Sequence, residues 1–174
     1  MTIRRFLPLL AILAALWVQA GTARADSTTD YYGITNATDD GALSLTTPAY
    51  DSGQWCRVAT AYRRRTNVFG VRIYTYYERL SWCWSGGVIR YAYRDRWGTV
   101  GSVPLWSWDG NVATNCTYEH CNNRGVGTTN AQIWTEGQFH ACLGALGINY
   151  CQYKYPQITI YYNGSGVATA STSG

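Results

Sequence analysis

The sequence predicts an all-β fold: a single-domain antiparallel β-sandwich stapled by disulfides, with a barrel as the alternative. Three observations carry this. Six cysteines, Cys56, Cys83, Cys116, Cys121, Cys142 and Cys151, all follow a stretch that reads as an export signal, and an even number in an exported chain reads as disulfides. Aromatic and β-branched residues alternate with polar ones between glycine- and asparagine-rich turns. After residue 25 no segment keeps a helical period with caps; "ACLGALG" comes nearest, and its glycines argue against a helix.

The chain divides into three parts. Residues 1–25 have a signal peptide's layout: Arg4 and Arg5, the apolar run "FLPLLAILAALWVQA", and "ARA" at 23–25 as a small-x-small cleavage site. Cleavage after Ala25 is expected to release Asp26–Gly174 as a secreted, extracellular protein with no membrane partner, since no second apolar segment long enough to anchor it follows. Pro8 and the cleavage site argue against an uncleaved anchor. Residues 26–54, rich in Asp, Thr, Ser and Gly, predict an irregular N-terminal arm. Residues 55–174 form the β domain, and roughly 150 mature residues suit one core.

Within the β domain, "WCRVATAY" places Cys56, Val58, Thr60 and Tyr62 on one side of a strand. "FGVRIYTYYERLSWCW" places Tyr74, Tyr76, Glu78, Leu80, Trp82 and Trp84 on one side and Ile73, Thr75, Tyr77 and Cys83 on the other. A run this long predicts a bulge midway, near Glu78–Arg79. If Cys83 faces inward with Cys56, as sandwich disulfides commonly do, Trp82 and Trp84 face outward and need the arm or a loop to cover them. "VIRYAYRDRW" reads as a strand with Ile89, Tyr91 and Tyr93 on one side and a wet arginine side at Arg90, Arg94 and Arg96. Residues 98–130 look loop-rich. "QIWTEGQFHACL" gives a strand pairing Phe139, Ala141 and Leu143. "PQITIYYNGSGVATAS" predicts a hairpin in which Ile158, Ile160 and Tyr162 alternate, "NGSG" turns, and Val167 and Thr169 return.

Six cysteines allow fifteen pairings, which sequence leaves open. Sequential pairing is the simplest: Cys56–Cys83, Cys116–Cys121 and Cys142–Cys151. A zinc site from Cys116, His120, Cys121, His140 and Cys142 has no matching spacing, and an oxidising compartment favours disulfides, so no metal and no cofactor are expected.

Three of the 14 basic residues lie in the leader, which leaves 11 against 10 acids, or +1. That charge is too small for general nucleic-acid binding. "YRRR" at 62–65 reads as a solvated strand end. No hydrolase elbow, phosphate loop or calcium loop is present, the carboxylates are scattered, and no catalytic residue is assigned. Trp106 and Trp108, in "VPLWSWDGN" beside Asp109 and Asn111, are the candidate ligand-binding set, because a sugar's apolar face lies on an indole while polar neighbours hold its hydroxyls. Core packing is the competing role for both rings.

"WC" at 55–56, "FG…WCW" from 69 to 84, "GQFHAC" at 137–142 and "YPQITIYYNGSG" at 155–166 resemble small secreted actinobacterial disulfide-bearing β-rich proteins of unknown function. The resemblance implies the pairs Cys56–Cys83 and Cys142–Cys151 and brings no catalytic residue or ligand. The expected function is a non-catalytic binding protein for an extracellular glycan or other cell-surface polymer, or for a protein. The alternatives are an inhibitor or toxin presenting "CLGALGINYC", and a hydrolase of unrecognised chemistry.

Overall fold

The computed structural model describes residues 37–115, 123–145 and 148–174. The expected leader, residues 26–36, Cys116, His120 and Cys121 lie outside the described residues. The described chain is all β: β1 (Thr38–Leu45), β2 (Ala49–Asp51), β3 (Gln54–Thr66), β4 (Arg72–Ser85), β5 (Val88–Val100), β6 (Trp106–Thr114), β7 (Asn130–Ala145), β8 (Ile148–Lys154), β9 (Gln157–Asn163) and β10 (Ala168–Ser173).

Two antiparallel sheets pack face to face. The first runs β1-β3-β4-β5 with β2 on β3; the second runs β10-β9-β7-β6 with β8 on β7. They meet at both margins, β5 beside β6 and β1 beside β10. This is the expected sandwich, not the barrel. β8 and β9 lie end to end along the same edge of β7, pairing with 139–145 and 130–136. The break falls at Tyr155–Pro156, since proline has no N–H to give the ladder. The Pro156 carbonyl instead accepts the Gly137 N–H at 3.0 Å.

Alternation along β4 settles which face is inside. Tyr74, Tyr76, Glu78, Leu80, Trp82 and Trp84 are buried, and Cys83 faces out with Cys56. The sandwich-type inward disulfide is therefore corrected. Two indoles remove far more apolar surface from water than one half-cystine, so the rings take the interior. Cys56–Cys83 and Cys142–Cys151 both form, as sequential pairing predicts, but each ties register partners within one sheet, with Cα–Cα of 4.0 and 4.1 Å. Replacing Cys142 and Cys151 together by serine should lower unfolding free energy by about 2–3 kcal/mol, because the closed loop is short; denaturant titration of the double variant measures it.

The expected bulge at Glu78–Arg79 is absent. β3 and β4 stay in register from Trp55/Trp84 to Arg65/Tyr74, and the shift falls at Arg65/Thr66. Glu78 does not have to turn out, because Arg94 reaches it inside. The irregularity against β5 lies between Cys83 and Trp84, where Arg90 is the extra residue. Beyond it Ala92 and Arg94 point in, while Tyr91 and Tyr93 are exposed. The wet arginine side expected of this strand is thus reversed.

The expected arm is also corrected: residues 38–45 and 49–51 are strands. "YRRR" is not a solvated end. Asp39 of β1 stands opposite Arg65, which is buried, and holds Arg65 Nη1 at 3.0 Å and Arg63 Nη2 at 3.2 Å; Arg64 pairs with Asp40 outside. Within the segment expected to be loops, β6 is a strand. In the last hairpin Ile158, Ile160 and Tyr162 are buried as expected, but the return buries Ala168 and leaves Val167 exposed.

Candidate functional site

Two bulges shape β6. Against β7, Trp108 pairs with Phe139 and Gly110 with Gln138, so Asp109 is the extra residue; Val112 is the second. Gly110 sits at φ 114°, a backbone region that favours glycine. The bulges divide the four residues that the sequence put together. Trp106 is 7% exposed and packs on Tyr74, with centroids 5.7 Å apart. Trp108 is half-buried, 4.6 Å from the Phe139 ring and 5.5 Å from Tyr76. A methyl group on Gly137 would come within 2.6 Å of its indole, and one on Gly98 would also collide with it, so two glycines make its slot. Asn111 is exposed, though its Oδ1 accepts the Tyr76 hydroxyl at 3.0 Å. Asp109 is exposed too, but its carboxylate turns the other way, toward β7. The four do not share one surface, and neither indole is an open sugar platform.

Asp109 joins a different group. Its Oδ1 lies 2.5 Å from His140 Nδ1, and its Oδ2 accepts Gln138 Nε2 at 2.8 Å. Along β7, Ile133, Thr135, Phe139 and Ala141 are buried. The intervening Gln132, Trp134, Glu136, Gln138 and His140 form the outer row. Facing them, Thr159 is the register partner of Trp134. Gln157 pairs with Glu136 and donates to its carboxylate. Tyr153 pairs with His140, with ring centroids 6.0 Å apart. Tyr153 is 47% exposed and Tyr161 46%. Trp134 and His140 are six residues apart, or about 20 Å along an extended strand. The outer face therefore carries rings near both ends and paired amide and carboxylate groups between them. In the sequence the apolar Phe139 side of this strand stands out; the polar and aromatic alternation of the other side, "Q-W-E-Q-H", was the available clue.

Ser107 on β6 is the register partner of His140. Its hydroxyl makes no hydrogen bond to that ring, so acid, histidine and serine share a face without a base–nucleophile hydrogen bond. Cys142, raised above as a metal ligand, is bonded to Cys151.

Beneath this face lies a buried polar network joining the sheets. Arg94 Nε and Nη2 meet the two Glu78 carboxylate oxygens at 2.9 and 3.0 Å, and Nη1 donates to Thr114 at 2.7 Å. Arg96 donates to Thr135 at 3.1 Å, and Thr135 Oγ1 is 2.6 Å from the Tyr76 hydroxyl. Burial pushes Glu78 up to about 7 against the opposing pull of Arg94, and burial also raises Tyr76. The network fixes β6 and β7 against β4 and β5, and so holds the outer row from below.

Fold and face together define a class: a disulfide-tied antiparallel sandwich that presents fixed aromatic, amide and carboxylate groups on one sheet surface. Compared with protein-family models, curated proteins and solved structures, the chain matches none.

Proposed function

We propose that this is a secreted, non-catalytic binding protein that takes an extended extracellular glycan, or a similar polar cell-surface polymer, along the outer face of β6, β7, β8 and β9. The observation that supports it most is the row Trp134, Glu136, Gln138 and His140, with Asp109, Tyr153 and Gln157 fixed around it. Sugar rings offer apolar faces to aromatics and hydroxyls to carboxylates and amides. Here the polar groups are already oriented by Asp109–Gln138 and Glu136–Gln157 contacts, so little side-chain freedom is lost on binding. The two disulfides support an oxidising, extracellular setting.

Retention on insoluble glycans tests this. Asp109→Ala and Tyr153→Ala should each weaken retention by roughly tenfold, about what one charged hydrogen bond or one ring contact supplies. Both side chains are on the surface, so the fold should survive. Equal retention of wild type and both variants, or none by the wild type on any glycan, would remove the proposal.

A further inference from the structure

The β3–β4 hairpin, residues 67–71, and the β5–β6 connection, residues 101–105, leave from the same end of the sandwich. Beside them the Gly101 N–H donates to the Ile73 carbonyl of β4 at 2.7 Å. The hairpin reads Asn67-Val68-Phe69-Gly70-Val71. Asn67 Oδ1 accepts the N–H groups of Phe69 and Val71 at 3.0 and 2.9 Å, and the Gly70 N–H closes on the Asn67 carbonyl at 2.9 Å. Asn67 and Gly70 are what such a turn requires. Nothing in it requires an aromatic ring, but Phe69 is 81% exposed, with Val68 and Val71 exposed beside it. The turn is clamped, so this exposure is built into the backbone.

The second loop adds an independent sign. Leu105 is 51% exposed and sits at φ 74°, a left-handed backbone that strains a branched apolar residue. Strain is thus accepted at a leucine that gains no burial from it. Val100 is exposed at the same end. The surface is a hairpin tip rather than a cleft, a shape suited to entering a soft phase.

Charge says which phase. Arg63, Arg64, Arg65 and Arg72 stand near this end against Asp39 and Asp40. Arg63 and Arg65 share Asp39, Arg63 also donates to the Gly174 carbonyl, and Arg64 takes Asp40. Arg72 is exposed and has no acidic partner among the described residues. We propose that this end of the sandwich docks on an anionic bilayer, laying Phe69, Val68 and Leu105 into the headgroup boundary with Arg72 against lipid phosphates. The reading is independent of the glycan face, which lies on the side of the second sheet.

Co-sedimentation with vesicles tests it, using phosphatidylcholine alone and equal parts of phosphatidylcholine and phosphatidylglycerol. Wild type should sediment with the mixed vesicles and much less with the neutral ones. Phe69→Asp should lower partitioning by roughly tenfold or more, because an apolar ring is replaced by a charge of the wrong sign. Arg72→Ala should lower it by roughly fivefold on mixed vesicles only, and added salt should do the same. Both positions are exposed, so unchanged thermal unfolding controls for folding. Failure of the wild type to sediment with either vesicle, or indifference to Phe69→Asp, would overturn the proposal, including in favour of an apolar pocket on a partner protein.

Discussion

Arg94→Met should cost about 3–5 kcal/mol of unfolding free energy above neutral pH, because it leaves the Glu78 carboxylate in the interior with its main counter-charge removed. The same variant should lose much less in acid. In the folded wild type Glu78 is raised to about 7, and its ordinary value is 4.5. Between those values the folded chain holds a proton that the unfolded chain has released. The contribution of this group is therefore fully present below about 4.5 and is lost as pH rises through about 7. In wild type this appears as a fall of up to about 1 kcal/mol per pH unit across that window. In Arg94→Met the carboxyl stays protonated to still higher pH, so the defect appears mainly on the alkaline side. Denaturant midpoints for wild type, Arg94→Met and Glu78→Gln across the window check this. Glu78→Gln should flatten the slope, and a loss in Arg94→Met that is the same in acid and in base would contradict the buried pair.

Trp82→Ala is the second large effect, about 3–5 kcal/mol. Trp82 is fully buried, its ring lies 5.7 Å from Trp84 and 6.0 Å from Tyr162, and its Nε1–H donates to the Asn163 carbonyl at 3.1 Å. Trp82→Phe should fall between alanine and wild type, keeping a ring in the site but removing the indole donor to that carbonyl, which retains the Gly166 N–H at 3.3 Å. The arrangement also settles the alternation of "SWCW". Were the indole on the outer face, alanine there would cost well under about 1 kcal/mol. Equilibrium unfolding of the two variants distinguishes the cases.

Legibility in the sequence followed how local each cause is. Ile158, Ile160 and Tyr162 could be read because a period of two beside "NGSG" needs only neighbouring residues. The sequential cysteine pairs emerged because strands joined by hairpins bring such pairs opposite one another. Arg94 was misplaced because a charge goes inside only when a partner waits there, and Glu78 is 16 positions away on another strand. The same holds for Arg65, which depends on Asp39 in a stretch that looked irregular. The site was legible only at Asp109. Two bulges in β6 turn the Asn111 amide oxygen to the Tyr76 hydroxyl and Asp109 to His140, and the glycine that permits the first of them looked like loop composition. Trp106 and Trp108 read as platforms until Gly98 and Gly137 supplied the slot that buries Trp108.

Both covalent ties among the described residues join neighbours in the same sheet, and this decides how the molecule would behave under tension. A chain pulled through its ends can extend only by the length its crosslinks leave free. The Cys56–Cys83 tie withholds a stretch of 27 residues and the Cys142–Cys151 tie one of 9, together roughly 120 Å of extended backbone. Neither tie crosses between the sheets, so under tension the β3–β4 and β7–β8 hairpins would travel as closed, inextensible loops.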